Sequence, residues 1–287
     1  MNLLERLKNS KKTNLSSFNK SFTTAIRNDI TILHWYKRED GGKNFGDDLN
    51  PWLFREITGK NPVNITEIIN FRNKTVYSCI GSILSGIGSE NSEVWGSGFI
   101  DESSTLGIKP RKVHAVRGPL TRKKLLELNV DCPEIYGDPA LLLPKFYNPN
   151  ISSKYRLGIV AHYVDKKSDN YKELVREISQ DILIIDIEDS VENVIDNILK
   201  CEKIASSSLH GIIVADAYKI PSIHIKFTNN VMGGNFKFKD YMYGVKREYR
   251  KPLLIDSDST INSILNNFYD YSIEFNQDEL MKACPFA

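Results

Sequence analysis

Short apolar runs that end at small residues recur along this chain, and most are followed by residues with helical spacing. Such runs predict strands at 31–36, 75–80, 94–95, 112–116, 156–163, 182–187 and 222–227. They also predict a short strand that begins at residue 204. Strands that alternate with helices are typical of a parallel sheet, in which ligands bind beyond the carboxyl ends of the strands. We therefore predict an α/β protein with two successive Rossmann-like βα domains that face each other across a cleft.

The domain boundaries follow from composition. Residues 145–154 carry proline, asparagines and serines, which is typical of a linker. We divide the chain into an N-terminal arm, an N-terminal domain, a C-terminal domain and a helical tail: 1–28, 29–148, 149–255 and 256–287. The basic arm has a short leucine face, which favours a packed or frayed segment; a weak hold on an anionic membrane surface is the alternative.

Composition narrows the class of protein. The formal net charge of +2 gives no reason to expect a nucleic-acid partner. The four cysteines are scattered without a C-x-x-C pair, as is typical of reduced thiols in a cytoplasmic protein. No stretch approaches the roughly 18 apolar residues of a membrane span. The histidines and cysteines show no zinc spacing, and D-x-D at 256–258 is interpreted as a turn before a helix from about 260 to 268, so we predict no metal.

The stretch 204–221 is the strongest candidate for a site. It predicts a buried strand, a tight turn of three serines, and an apolar helix that ends before Pro221. His210 falls in the first turn of this helix, beside free backbone N–H groups and the positive end of the helix dipole, where a phosphate binds readily. The alternative is that Ser208 only caps the helix and His210 is a half-buried residue without a ligand.

Arg117 follows the predicted strand 112–116, at the edge of the sheet where ligands bind. Its guanidinium can hold a phosphate or carboxylate by two parallel hydrogen bonds. The alternative is a structural ion pair with an acid such as Asp138.

Two further segments carry candidate ligand-binding residues. The glycine-rich loop 41–48 allows close approach of the backbone to a ligand, although an ordinary βα turn explains it equally well. Asn50 and Pro51 predict the start of the following helix, and Gly59 its end. Residues 236–241 mix aromatic and basic side chains that either line a sugar site or brace the domain.

Five motifs occur in order between about residues 32 and 243. They are NFGDDLN at 44–50, WGSG at 95–98, VRGPLT at 116–121, GDPALL at 137–142 and SSLHG at 207–211. As a set, they resemble the polysaccharide pyruvyl transferase family.

The resemblance implies a fold like that of GT-B glycosyltransferases. It also implies that phosphoenolpyruvate donates its enolpyruvyl carbons to two sugar hydroxyls of a surface-polysaccharide precursor, so that a pyruvate ketal forms and phosphate is released. His210 and Arg117 would be the catalytic residues. Histidine titrates near neutral pH, which suits the acid that protonates the methylene carbon of the donor. Many members have an arginine where this chain has Ser208, so the phosphate site would use serine hydroxyls, helix N–H groups or a lysine such as Lys226 or Lys239.

The remaining expectations combine the resemblance with the motifs and the composition described above. The donor site would be formed in the C-terminal domain by Ser207, Ser208, Leu209, Gly211 and Lys239. The acceptor site would be formed in the N-terminal domain by Asn44, Gly46, Asp47, Asp48 and Ser97. Phosphoenolpyruvate would be a co-substrate, with no cofactor and no metal, and the acceptor a glycan, lipid-linked glycans included. The protein would be located in the cytoplasm, and peripheral association with the inner face of the membrane is a further option.

Two other functions stay open at the level of sequence. A GT-B glycosyltransferase with a nucleotide-sugar donor shares the same strand–helix pattern, because fold alone does not determine the reaction. A carbohydrate-binding protein without catalytic activity would explain the serine at position 208.

Overall fold

The computed structural model describes residues 30–68 and 73–287, and the predicted arm at 1–28 lies outside them. Two sheets of five strands, each wholly parallel, form the centre of the molecule. The first contains β1 (Ile32–His34), β2 (Val63–Asn64), β3 (Val76–Ser78), β4 (Ser92–Trp95) and β5 (Lys112–Ala115). The second contains β6 (Leu157–Val160), β7 (Ile182–Ile185), β8 (Ile204–Ser206), β9 (Ser222–Lys226) and β10 (Leu253–Leu254). The predicted α/β class with two parallel sheets is confirmed.

The two sheets share one strand order. The first runs β2-β1-β3-β4-β5, and the second, read from its opposite edge, runs β7-β6-β8-β9-β10. In both, the first strand of the sheet lies between the second and the third, so the connections on its two sides run in opposite directions. This point of reversal leaves a crevice at the carboxyl ends of the strands, where ligands bind in doubly wound sheets. It lies between β1 and β3 in one sheet and between β6 and β8 in the other.

Helices cover both sheets. They are α1 (Phe45–Thr58), α2 (Pro119–Glu127), α3 (Leu143–Phe146), α4 (Asp169–Arg176), α5 (Val191–Leu199), α6 (Leu209–Ala217), α7 (Phe236–Gly244), α8 (Ile261–Leu265) and α9 (Gln277–Lys282). Short 3-10 turns lie at Ile65–Glu67, Leu84–Gly86, Pro139–Leu142 and Asp165–Lys167. None of the helices within residues 30–68 and 73–287 has the length and apolar character to cross a membrane.

The start of α1 differs from the prediction. The helix begins at Phe45 with Asn44 as its N-cap, so Asn50 and Pro51 lie inside it. Proline lacks the N–H that would donate to the carbonyl four residues earlier. Here the Asn50 side-chain amide donates to that carbonyl, Asp47 O, at 3.1 Å and also to Ile80 O at 3.0 Å. The helix therefore continues through the proline until Gly59, whose φ of 69° ends it as predicted.

The C-terminal segment returns to the first sheet. The Trp95 indole N–H donates to Leu280 O in α9 at 2.8 Å. The Phe286 ring packs against three aromatic rings of the first half, with centroids 4.9 Å from Phe54, 5.4 Å from Tyr77 and 5.5 Å from Trp95. One apolar core runs from α1 through α5 and α6 to these residues and joins the two sheets.

Candidate active site

The carboxyl ends of both sheets open onto one cavity of about 350 Å³. Segments that follow the strands at both reversal points line it, together with α1, α7 and the loop after β9. The lining residues include His34, Tyr36, Asn44, Asp47, Gly81, Ser82, His162, Tyr163, Ser208, Leu209, His210, Asn230, Met232 and Lys237. Since two independent ligand-binding crevices converge here, this cavity is the candidate active site.

His210 lies in the first turn of α6, as the sequence predicts. Its Nε2 is buried without a hydrogen-bond partner among the described residues, and lies 3.5 Å from Asp138 Oδ2. The other edge of the ring lies against α1, because a Cβ built on Gly46 would come within 2.1 Å of Nδ1. The imidazole is therefore held between the N-terminus of α1 and Asp138.

The N-terminus of α6 faces the same cavity. Two of the three serines are occupied by structural hydrogen bonds: Ser206 Oγ accepts from Ser208 N–H at 3.0 Å, and Ser207 Oγ donates to Asp165 at 2.6 Å. Ser208 occupies the N-cap position, but its side chain makes no cap hydrogen bond. The first-turn N–H groups of α6 thus keep their capacity to bind an anion beside Ser208 and Leu209.

Lys237 supplies a positive charge to the cavity. The side chain is 8% exposed. Burial lowers the pKa of Lys237 to about 8; the charge of Arg117 adds to this, and the charges of Asp47 and Asp165 oppose it. The ammonium lies 5.7 Å from the Phe238 ring and has no hydrogen-bond partner among the residues that the structure describes. A buried lysine at a cavity, without a hydrogen-bond partner or an ion-pair partner, is expected to bind an anionic ligand there.

Asp47 places a carboxyl group on the first-half side of the cavity. Burial raises the pKa of Asp47 to about 6, although a hydrogen bond from Asn44 and the charge of His210 favour the ionised form. The Asn44 side-chain amide donates to Asp47 Oδ2 at 2.5 Å. A carboxyl that titrates near pH 6 is suited to accept a proton at neutral pH.

The two other histidines of the cavity are kept neutral by their surroundings. Burial lowers the pKa of His162 to about 3, and the charges of Lys237, Arg38 and His210 act in the same direction. Burial also lowers the pKa of His34. Both rings are therefore poor proton donors near neutral pH, and His210 is the candidate acid among the cavity histidines.

Comparison with known proteins places the chain in a family. The model of the polysaccharide pyruvyl transferase family matches residues 107–228, which include Arg117, Asp138 and His210. The succinoglycan biosynthesis protein ExoV of Rhizobium meliloti is 26% identical over 227 residues, which cover 75% of this chain and 66% of that protein. The chain belongs to the polysaccharide pyruvyl transferase family.

Two other similar proteins are described as uncharacterized. An uncharacterized protein of Acanthamoeba polyphaga mimivirus is 31% identical over 245 residues, which cover 82% of each chain. The crystal structure of an uncharacterized Klebsiella pneumoniae protein matches 85% of this chain and 100% of its own, with 11% identity and a TM-score of 0.46.

Arg117 differs from the expectation for this pyruvyl transferase family member. The side chain is 0% exposed and does not line the cavity. Its Nε donates to Asp240 Oδ2 at 3.0 Å, Nη1 to Ser82 Oγ at 2.6 Å and Nη2 to Phe99 O at 2.6 Å. Arg117 therefore forms the structural ion pair that was the alternative, but its partner is Asp240 on α7 and not Asp138. Arg117 joins α7 to the first sheet and holds Ser82, which does line the cavity.

The other predicted site residues fall into two groups. Asn44, Asp47, Ser208, Leu209 and His210 line the cavity, and Gly46 contacts the His210 ring. Asp48, Ser97, Ser207, Gly211 and Lys239 do not line it.

Three residues of the second group have structural positions instead. Ser97 is fully buried, and its carbonyl accepts from Arg117 N–H. Gly211 allows close packing, because a Cβ there would lie 2.3 Å from Ser206 Oγ. The Lys239 ammonium lies over the Tyr249 ring, 5.2 Å from its centroid.

The predicted turn at 256–258 is present. Asp256 accepts from the N–H of Asp258 and from the Ser259 hydroxyl, and Thr260 caps α8. Within the two described stretches, no group of three histidine, cysteine or acidic side chains could hold a metal ion.

Lys237 is the main residue that sequence reasoning missed. The sequence indicates that the segment 236–241 could line a sugar site. It does not show which face of the helix is buried, so it does not decide whether Lys237 or Lys239 reaches the site. Lys237, Asp240 and Tyr241 share the buried face of α7 because they are three and four residues apart, whereas Lys239 lies on another face. The signal available in the sequence was the helical spacing of Lys237, Asp240 and Tyr241.

Proposed function

We propose that this protein transfers the enolpyruvyl group of phosphoenolpyruvate onto two hydroxyls of a sugar in a surface-polysaccharide precursor, forming a pyruvate ketal and releasing phosphate. The observation that carries the proposal is the cavity itself, where His210, Lys237 and the N-terminus of α6 meet. Membership of the family and the similarity to a succinoglycan biosynthesis protein support it.

The donor carries a phosphate and a carboxylate, so its site needs N–H donors and a cation. In the proposed site, the first turn of α6 and Lys237 bind these anionic groups. Lys237 then supplies the positive charge that the arginine of many family members would supply at the position of Ser208. The bound anion in turn favours the charged form of the lysine.

The reaction balances with one acid and one base. His210 gives a proton to the methylene carbon, which becomes a methyl group, while an acceptor hydroxyl forms a C–O bond to the adjacent carbon and loses its proton. The bond from that carbon to the phosphate oxygen then breaks, and phosphate leaves with the electron pair and with the proton that the first hydroxyl lost. The second hydroxyl forms the other C–O bond and closes the ketal, and its proton returns His210 to the charged form. Positioned acids of this kind accelerate reactions about 10²–10⁴-fold.

The acceptor side of the cavity belongs to the first half. Asp47 is ionised above its pKa of about 6, so it accepts the proton of the attacking hydroxyl at neutral pH. Tyr36 is 51% exposed at the cavity and offers an aromatic face to a sugar. This division, with the acceptor on one sheet and the donor on the other, is the GT-B arrangement that we propose for the two halves.

We expect the reaction to proceed without a metal ion or another cofactor. Lysine and helix N–H groups can hold a phosphate group by themselves. Loss of activity in a chelator and its recovery with magnesium would count against this expectation. We further propose that the enzyme works in the cytoplasm on a lipid-linked glycan at the inner face of the membrane.

Phosphate release from phosphoenolpyruvate, measured across a panel of lipid-linked and synthetic glycosides, tests the proposal. We expect turnover that depends on a sugar acceptor and falls about 10²–10⁴-fold in His210→Ala. His114→Ala is the matched control, because His114 pairs with Glu93 at 2.7 Å and does not line the cavity. Equal turnover of His210→Ala and the control would exclude His210 as the acid.

Ligand-induced stabilisation separates the alternatives. A ligand at 100 times its dissociation constant raises the free energy of unfolding by about 2.7 kcal/mol. We expect phosphoenolpyruvate to stabilise the protein and nucleotide sugars not to. The opposite result would favour a glycosyltransferase, and stabilisation by glycans alone would favour a binding protein.

A further inference from the structure

Two buried polar atoms face each other at the candidate active site without another partner. Asp138 Oδ2 and His210 Nε2 are both buried, and neither has a hydrogen bond within the described residues. They lie 3.5 Å apart, just beyond hydrogen-bond length. A buried carboxylate oxygen without a donor costs on the order of 1–3 kcal/mol, so the arrangement needs an explanation.

The rest of the Asp138 side chain is tied down. Its Oδ1 accepts from Ala140 N–H at 3.0 Å, which caps the 3-10 turn Pro139–Leu142. The preceding Gly137 has a φ of 141°, a conformation that favours glycine and directs the chain into this turn. One oxygen therefore anchors the turn, and the other is left to face the imidazole.

The two edges of the imidazole have different surroundings. Nε2 faces Asp138, and no other carboxylate in the described part of the chain lies within 4.0 Å of the ring nitrogens. Asp47, the acidic side chain of the cavity, is bonded to the Asn44 amide instead. Nδ1 lies on the opposite edge, toward Gly46 and the N-terminus of α1.

We propose that Asp138 is a positioning residue that holds the neutral His210 ring as the Nε2–H tautomer and leaves Nδ1 as the nitrogen that exchanges a proton with the substrate. This inference rests on the proposed function. A carboxylate accepts the Nε2–H bond and so determines which nitrogen carries the proton. The charged ring then donates from Nδ1 to the methylene carbon and returns to the neutral Nε2–H form without turning over.

The tautomer is measurable without any substrate. In ¹⁵N NMR of the ring nitrogens, with the His210 signals assigned by their loss in His210→Gln, we expect protonated Nε2 and unprotonated Nδ1 in the neutral wild-type ring. Asp138→Asn keeps the Oδ1 acceptor for Ala140 but presents an amide N–H to Nε2. We expect the neutral ring of this variant to shift toward the Nδ1–H tautomer.

Kinetics on the same variant connect the tautomer to the reaction. We expect kcat of Asp138→Asn to fall about 10²-fold or more, with the donor KM within about threefold of wild type. Asp165→Asn is the control, because this buried carboxyl does not line the cavity and pairs with Ser207 and Thr228 instead of with His210. Its His210 tautomer should equal that of wild type.

The outcomes keep the inference and the proposed function apart. An Nδ1–H tautomer in the neutral wild-type ring overturns the inference, whatever the enzyme catalyses and whether or not Asp138→Asn folds. An unchanged tautomer in folded Asp138→Asn overturns it as well. A third outcome combines an Nε2–H tautomer in the wild type, a shift of this tautomer in Asp138→Asn, and no turnover of phosphoenolpyruvate. This outcome supports the pairing of Asp138 with His210 and counts against the proposed function.

Discussion

Gly46 lies directly against the imidazole of His210: a Cβ on Gly46 would be 2.1 Å from Nδ1 and 2.7 Å from Cε1. This contact joins the N-terminal turn of α1 to that of α6. It therefore connects the first-half and second-half sides of the candidate site through one glycine and one histidine.

We predict that Gly46→Ala displaces the His210 ring and lowers kcat at least tenfold. Alanine favours a helix over glycine by about 0.5–1 kcal/mol, so helix propensity alone would stabilise this variant. Steady-state kinetics and a thermal melt measure the two effects. Gly107→Ala is the control, because a Cβ there meets no atom within 4 Å. Equal kcat in both variants would contradict the close packing against the ring.

Arg117 and Asp240 form an ion pair in which both side chains are 0% exposed, with Nε and Oδ2 3.0 Å apart. We predict that Arg117→Met lowers the free energy of unfolding by about 3–5 kcal/mol, because it leaves a buried carboxylate without its charged partner. Denaturant unfolding followed by circular dichroism measures the change.

Arg156 and Asp181 provide a matched pair for this test. The same atoms are 3.0 Å apart, but the side chains are 48% and 45% exposed. Arg156→Met should change stability by about 0–1 kcal/mol, as exposed ion pairs do. Similar losses in the two arginine variants would show that burial does not determine the effect.

Lys237→Met should weaken donor binding and strengthen the fold. Loss of a hydrogen bond from a charged group costs about 1.5–3 kcal/mol, which is about a ten- to hundredfold loss of affinity for phosphoenolpyruvate. Calorimetric titration measures this, with Lys239→Met as the control since its ammonium lies over Tyr249. Equal affinity in the two variants would remove Lys237 from the donor site.

Lys237→Met should also change how the free energy of unfolding depends on pH. The pKa of Lys237 is about 8 in the folded protein, below its ordinary value of 10.5. The unfolded chain therefore binds more protons between these values, and the free energy of unfolding rises with pH across that window. We expect Lys237→Met to be more stable than wild type at pH 7, by up to the order of 3 kcal/mol, and the difference to shrink above pH 8.

Ionisation of Asp47 should determine how activity depends on pH in the acidic range. Its pKa of about 6 in the folded protein lies above the ordinary value of 3.8. As an acceptor of the hydroxyl proton it is active when ionised, so kcat/KM should rise as pH increases through about 6. In Asp47→Asn, kcat/KM should no longer rise through about pH 6, and kcat should be at least tenfold lower than in the wild type. Asp48→Asn, a neighbouring carboxyl that does not line the cavity, should keep it.

Stability gives an independent measure of Asp47. The folded protein binds more protons than the unfolded chain between about pH 4 and 6, so this residue lowers the free energy of unfolding as pH rises through that window. In Asp47→Asn, the free energy of unfolding should therefore fall less between about pH 4 and 6 than it does in the wild type. Identical stability profiles for wild type and Asp47→Asn would show that the carboxyl is not buried as described.

Local patterns in the sequence determine much of this fold. The alternation of apolar runs and helical segments predicts two parallel sheets, because strand and helix periodicities are properties of consecutive residues. The serine turn before an apolar helix places His210 in a first turn for the same reason. The edge strands β2 and β10 are missing from the prediction, since two residues carry no readable period.

The partners of the site residues were decided only by the tertiary structure. Arg117 pairs with Asp240, 123 residues away, and Asp138 faces His210, because the packing of the two sheets and α7 brings these side chains together. The choice of Lys237 over Lys239 depends on which face of α7 packs inward. A sequence pattern records the period of an element but not its neighbour, so hydrogen bonds, ion pairs and pKa shifts across elements follow only from the packed fold.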